Sequence, residues 1–164
     1  MKCVLLVRHA KSSWDTADLN DFDRSLNDRG KKDAPEMARR LVKREVIIDR
    51  FVSSPAKRAR KTAELFVAEM GSGKKDILFI DKLYHAAAPV FFDTIAGMDD
   101  TLQSLAIFSH NPGITDFVNM LTSVQIDNMP TSAVFAVKAD IKSWKEFEKA
   151  KREFWFFDYP KAEF

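Results

Sequence analysis

The feature that most constrains this chain is a series of short apolar runs without polar alternation. They fall at residues 3–7, 51–52, 77–80, 105–108, 134–137 and 154–157. Such runs suit strands buried on both faces, as in a parallel sheet covered by helices. Between them, apolar residues recur at helical spacing: Ala34, Met37, Ala38, Leu41 and Val42, then Ala59, Ala63, Phe66, Val67 and Met70. Phe91, Phe92, Ile95 and Ala96 form a weaker set, and Ile114, Phe117, Val118 and Leu121 a clear one. Strands alternating with helices predict an α/β fold, a three-layer α/β/α sandwich on a mostly parallel central sheet. The last two runs are separated by residues 143–151, room for only a short helix, so an antiparallel pairing is predicted at that edge. With 164 residues and no linker or repeat, the expectation is one domain over residues 1–164.

The charges narrow the function. Twenty-six Lys and Arg face 24 Asp and Glu, a formal net charge of +2, which argues against bulk nucleic-acid binding. The single cysteine, Cys3, excludes an intramolecular disulfide framework and reads as a packing residue of the first strand. No apolar run approaches the roughly 20 residues of a membrane-spanning helix. The first run is cut short by Arg8 and His9, unlike a secretory signal. A soluble, cytoplasmic protein with no membrane partner is expected. A metal site is not, because none of the three histidines has another at ligand spacing. The stretch 71–75 has glycines and lysines but lacks the first glycine and the Ser or Thr of a P-loop.

Three predicted strand ends carry conspicuous polar residues. The first delivers Arg8-His9-Ala10-Lys11-Ser12, the second Ser54-Pro55 with Arg58 just beyond, and the fourth Ser109-His110-Asn111-Pro112-Gly113. Ser54 and Asn111, each followed by proline, predict helix starts with Pro at the first helical position. Sites in parallel α/β folds form outside the carboxyl ends of strands. Two arginines and two histidines brought to one rim could grip a phosphoryl group, with a neutral imidazole as nucleophile.

These blocks resemble the histidine phosphatase (phosphoglycerate mutase-like) superfamily. Residues 5–12 are similar to its Arg-His-Gly signature, residues 53–64 to its second motif, and Ser109-His110-Asn111-Pro112 to its third. Residues 23–30, Asp-Arg-Ser-Leu-Asn-Asp-Arg-Gly, resemble the stretch ahead of its first helix. The short chain and the Asp21-Phe22-Asp23-Arg24-Ser25-Leu26-Asn27 segment point to the SixA-like branch, which acts on phosphohistidine. One departure is Ala10 in place of the usual glycine, tolerable only where φ is negative.

The resemblance implies that His9 attacks phosphorus, that Arg8 and Arg58 bind phosphoryl oxygens, and that His110 stabilises the transferring group. It implies no metal cofactor, and a phosphorylated protein such as a phosphorelay carrier as partner. Ser12, Lys11 and Asn111 are further candidates for the phosphate pocket. The proton donor is the gap: residues 81–89 hold no carboxylate after Asp81, leaving His85 or Asp93. An alkoxide leaving group, with a conjugate-acid pKa of about 15.7, needs a donor. An imidazole, at about 6.5, needs far less help. The reading is therefore a phosphohistidine phosphatase. Its rivals are a small-molecule phosphomonoesterase using His85 or Asp93 as acid, and a catalytically silent phosphoprotein-binding module.

Overall fold

The computed structural model describes residues 1–14, 20–71 and 77–162; of the stretch 71–75, only Gly71 is among them. The elements are β1 (Lys2–Arg8), α1 (Asp28–Lys43), β2 (Arg50–Ser53), α2 (Lys57–Glu69), β3 (Ile77–Phe79), α3 (Ala88–Ala96), β4 (Ser104–Ser109), α4 (Gly113–Val118), β5 (Val134–Ala139) and β6 (Arg152–Asp158). Three 3-10 turns stand at Asp21–Asp23, Asp81–Leu83 and Trp144–Glu146. All six apolar runs are strands, and each helical pattern marks a helix.

The sheet order is β3-β2-β4-β1-β5-β6. β1, β4, β2 and β3 run parallel, while β5 pairs antiparallel with both β1 and β6. The antiparallel pairing thus falls at the expected end, but the reversed strand is β5, one in from the edge. Successive β1 residues split between two cores, as a pleated strand requires. Leu5 and Val7 pack with Ala34, Met37, Leu41 and Phe66 under α1 and α2. Val4 and Leu6 pack with Phe91, Ile95, Ile114 and Phe117 under α3 and α4. A fully buried Leu or Phe contributes about 1.5–3 kcal/mol, so these two faces dominate stability. Val42 alone leaves the predicted α1 stripe, 47% exposed at the helix end. Cys3 sits in β1 but is only half-buried.

The proline signals start helices later than expected. α2 opens at Lys57 behind Ala56, and α4 at Gly113 behind Pro112, neither with a side-chain cap. Ser54 Oγ accepts the Ala56 N–H, closing a turn ahead of α2. Asn111 is drawn elsewhere, by Asn128 and Thr115.

Candidate active site

Strand register brings the two predicted histidines level. β1 pairs with β4 so that Arg8 lies opposite Ser109, and the next residues are His9 and His110. The His9 N–H donates to Ser109 O at 3.1 Å, and the two rings lie 5.1 Å apart between centroids. On the other side of β4, the Ser54 N–H donates to Phe108 O at 3.0 Å, which sets the β2 loop and Arg58 beside the histidines. The adjacency of β1 and β4 is the point where crossovers diverge in an open α/β sheet.

His9 is 6% exposed. Its Nδ1 lies 2.8 Å from Ala10 O. A carbonyl only accepts, so Nδ1 carries the ring proton and Nε2 keeps its lone pair. Burial first, then the Arg58, Arg8 and Arg24 charges, push the His9 pKa down to about 3, against the pull of the Ala10 hydrogen bond. The imidazole is therefore neutral near pH 7 and nucleophilic at Nε2, where Arg58 Nε approaches to 3.4 Å. Arg8 is anchored by Nη1 on Met129 O at 2.9 Å, and its buried Nε has no partner among the described residues. Burial and the Arg58 charge both lower the Arg8 pKa. Arginines this close make a strong seat for an anion.

His110 places Nε2 2.7 Å from Ser54 Oγ, and its buried Nδ1 has no partner among the described residues. Burial, then His9 and Arg58, lower its pKa to about 2. Ser132 closes the floor in a left-handed conformation at φ 65°. Its N–H reaches Arg8 O at 3.1 Å and His9 O at 3.2 Å.

Above the floor stands a group that the sequence reading overlooked. The 3-10 turn beginning at Asp21 presents a carboxylate whose Oδ2 accepts from Tyr84 Oη at 2.6 Å and Arg58 Nη2 at 3.0 Å. Its Oδ1 accepts from Arg24 Nε at 3.1 Å. Burial works to raise the Asp21 pKa, but Tyr84, Arg58 and Arg24 outweigh it and hold it at about 2. Tyr84 is raised, by burial first and then by the bond it gives Asp21. The signal was present as Asp21 and Arg24 three residues apart, but nothing in the sequence folds that loop back over Arg58.

The predicted pocket residues separate on inspection. Arg8, His9, Arg58 and His110 line one cavity of about 280 Å³ with Lys11, Ser12, Asn111 and His85. Ser12 Oγ accepts from Arg24 Nη1 at 2.5 Å. Asn111 commits its amide to Asn128 Oδ1 and Met129 O at 2.7 and 3.1 Å, so it holds a loop. His85 is exposed at the rim, its ring 4.0 Å from that of Tyr84. Asp93 is not at the site: it lines a separate cleft beside β3 and α3, because it lies beyond the loop that reaches the cavity around His9. Ala10 is not among the positive-φ residues, and its buried N–H is held by Thr62 Oγ1 at 2.9 Å. Alanine therefore fits where the family's glycine was expected.

A neutral imidazole flanked by guanidinium groups is an arrangement suited to receiving a phosphoryl group. The histidine phosphatase superfamily (branch 1) model matches residues 4–83. The candidate phosphohistidine phosphatase SixA of Agrobacterium tumefaciens is 26% identical, with TM-score 0.81 over 97% of this chain and 98% of that one. A protein histidine phosphatase SixA solved with tungstate is 23% identical, with TM-score 0.81 over 96% and 97%. An uncharacterized chloroplastic protein of Arabidopsis thaliana is 29% identical over 151 residues, 87% of this chain and 69% of its own. The chain is similar to the histidine phosphatase superfamily over residues 4–83 and shares the fold of the SixA proteins over nearly its whole length.

Proposed function

We propose that this protein is a phosphohistidine phosphatase acting on a phosphorylated protein through a phospho-His9 intermediate. The observation that carries the reading is the lone pair on His9 Nε2, fixed by the Nδ1 bond to Ala10 O beside two arginines. The likeness to the Agrobacterium protein supports the substrate class. His9 Nε2 forms a bond to phosphorus as the bond to the leaving group breaks and its electron pair departs with that group. Water then attacks phosphorus, the N–P bond breaks, and inorganic phosphate leaves. Arg8, Arg58 and His110 stabilise the charge that spreads over the phosphoryl oxygens. Guanidinium groups supply the positive charge that a metal supplies elsewhere, so the reaction is proposed to be metal-independent.

The leaving group decides between esters and phosphoramidates. The carboxylate lining the cavity, Asp21, is ionised near pH 7, and Asp93 lies elsewhere. With no protonated carboxyl among the described residues of the cavity, the site suits a leaving group that departs unaided. Phosphorylated carriers would be met in the cytoplasm, the proposed location.

The test is turnover of a phosphohistidine protein. His9→Ala abolishes it, while Arg58→Ala and His110→Ala each slow it by about 10²–10³. Undiminished turnover in His9→Ala rejects the mechanism. A strong preference for alkyl phosphates over phosphohistidine rejects the substrate.

A further inference from the structure

Asp21 is the one carboxylate among the described residues lining the catalytic cavity, and the mechanism above gives it no part. It is not a buried structural acid, since its side chain is 44% exposed. The Arg58 guanidinium touches His9 through Nε and Asp21 through Nη2, so one side chain spans nucleophile and carboxylate. The Tyr84 and His85 rings, 4.0 Å apart at 35°, flank the same cavity. An ionised carboxylate cannot give a proton, but it accepts a hydrogen bond strongly from a cationic N–H. In an in-line displacement the departing atom lies across phosphorus from the nucleophile.

We propose that Asp21 is a specificity-determining residue that accepts a hydrogen bond from the second ring nitrogen of an imidazole leaving group, which packs against the Tyr84–His85 pair. The inference rests on the phosphohistidine reading. The phosphorylated ring enters as a cation, with a proton on its second nitrogen. His9 Nε2 gives its lone pair to phosphorus, the substrate P–N bond breaks, and its electrons stay on the departing nitrogen. The ring leaves as neutral imidazole, its proton still on the nitrogen facing Asp21. No enzyme group donates a proton. A nearby anion favours the cationic ring, the form that departs most readily. An alkoxide has no such N–H, and its negative charge is repelled by the same carboxylate.

The experiment compares kcat/KM on phosphohistidine with kcat/KM on p-nitrophenyl phosphate, whose leaving group has no ring N–H. Asp21→Asn lowers the ratio of the two by about tenfold or more, as loss of a charge-assisted hydrogen bond predicts, and Asp21→Glu restores part of it. An equal fall on both substrates leaves the ratio unchanged, assigns Asp21 to holding Arg58 and Arg24, and overturns the subsite alone. A second measurement needs no variant: the native protein is given phosphoimidazole and its N-methyl analogue, each normalised to its spontaneous hydrolysis. The N–H ring is preferred about tenfold, and equal treatment overturns the subsite. Turnover of the aryl phosphate with none of either phosphoramidate overturns the phosphohistidine reading, and the subsite with it.

Discussion

His9 uses its two ring nitrogens for opposite purposes. Nδ1 gives its hydrogen to Ala10 O, and Nε2 keeps the lone pair proposed to attack phosphorus. Keeping the ring neutral has a consequence for stability. The folded-state pKa values of His9 and His110 lie at about 3 and about 2, below the value of about 6.5 for an unfolded histidine. Above that value both states are neutral, and these groups add no pH dependence. Below it the unfolded chain takes up protons that the folded chain refuses, so stability falls as pH drops from about 6.5 toward 3. The slope approaches about 1.4 kcal/mol per pH unit for each histidine. Urea unfolding at pH 7.0 and 4.5 should show this loss, and His9→Asn should reduce it by up to roughly 2–3 kcal/mol. An unchanged loss in the variant means that His9 is protonated in the folded state. Both histidines and both arginines were legible because they coincide in three strand-end loops that match motif blocks in order. Asp21 was not: its spacing to Arg24 marks only a local ion pair, and its place beside the histidines comes from Arg58, 37 positions away.

At the scale of elements, Thr62 is the clasp between the loop that bears His9 and the helix that carries Arg58. It is fully buried. Its Oγ1 accepts from the Ala10 N–H at 2.9 Å and donates to Arg58 O at 2.7 Å. Thr62→Val keeps the shape but leaves the Ala10 N–H unpaired, which costs about 1–3 kcal/mol. Because Ala10 O orients His9, turnover per folded molecule should fall about tenfold, a barrier change of about 1.4 kcal/mol. Thr62→Ser should recover most of both in a thermal melt and a steady-state assay. Stability lost with full turnover retained would separate the clasp from catalysis. Close backbone approach does similar work at Gly113, where a Cβ would lie 1.8 Å from Ala86 O and push out the loop bearing Tyr84 and His85. Strand and helix placement was legible from periodicity. The delayed starts of α2 and α4 were not, since the side chains of Ser54 and Asn111 found partners outside the helices.

At the scale of the whole molecule, sheet order turns four scattered residues into one site. β1 and β4 are neighbours although two strands lie between them in the chain, and local pattern carries no information about such pairing. The motifs imply that Arg8, Arg58 and His110 meet; only the order β2-β4-β1 explains how. The meeting gathers positive charge on a protein with a net charge of only +2, so an anion held there links separate parts of the fold. Binding of inorganic phosphate should therefore stabilise the native state alone. At 100 times its Kd the gain is about 2.7 kcal/mol, which for a chain of this length raises Tm by roughly 5–10 °C. The measurement is a thermal melt in rising phosphate at constant ionic strength, with chloride as the balancing salt. Arg58→Ala removes a guanidinium from the anion's seat and should abolish most of the shift. An equal shift in the variant places the stabilising anion elsewhere on the surface and separates phosphate binding from Arg58.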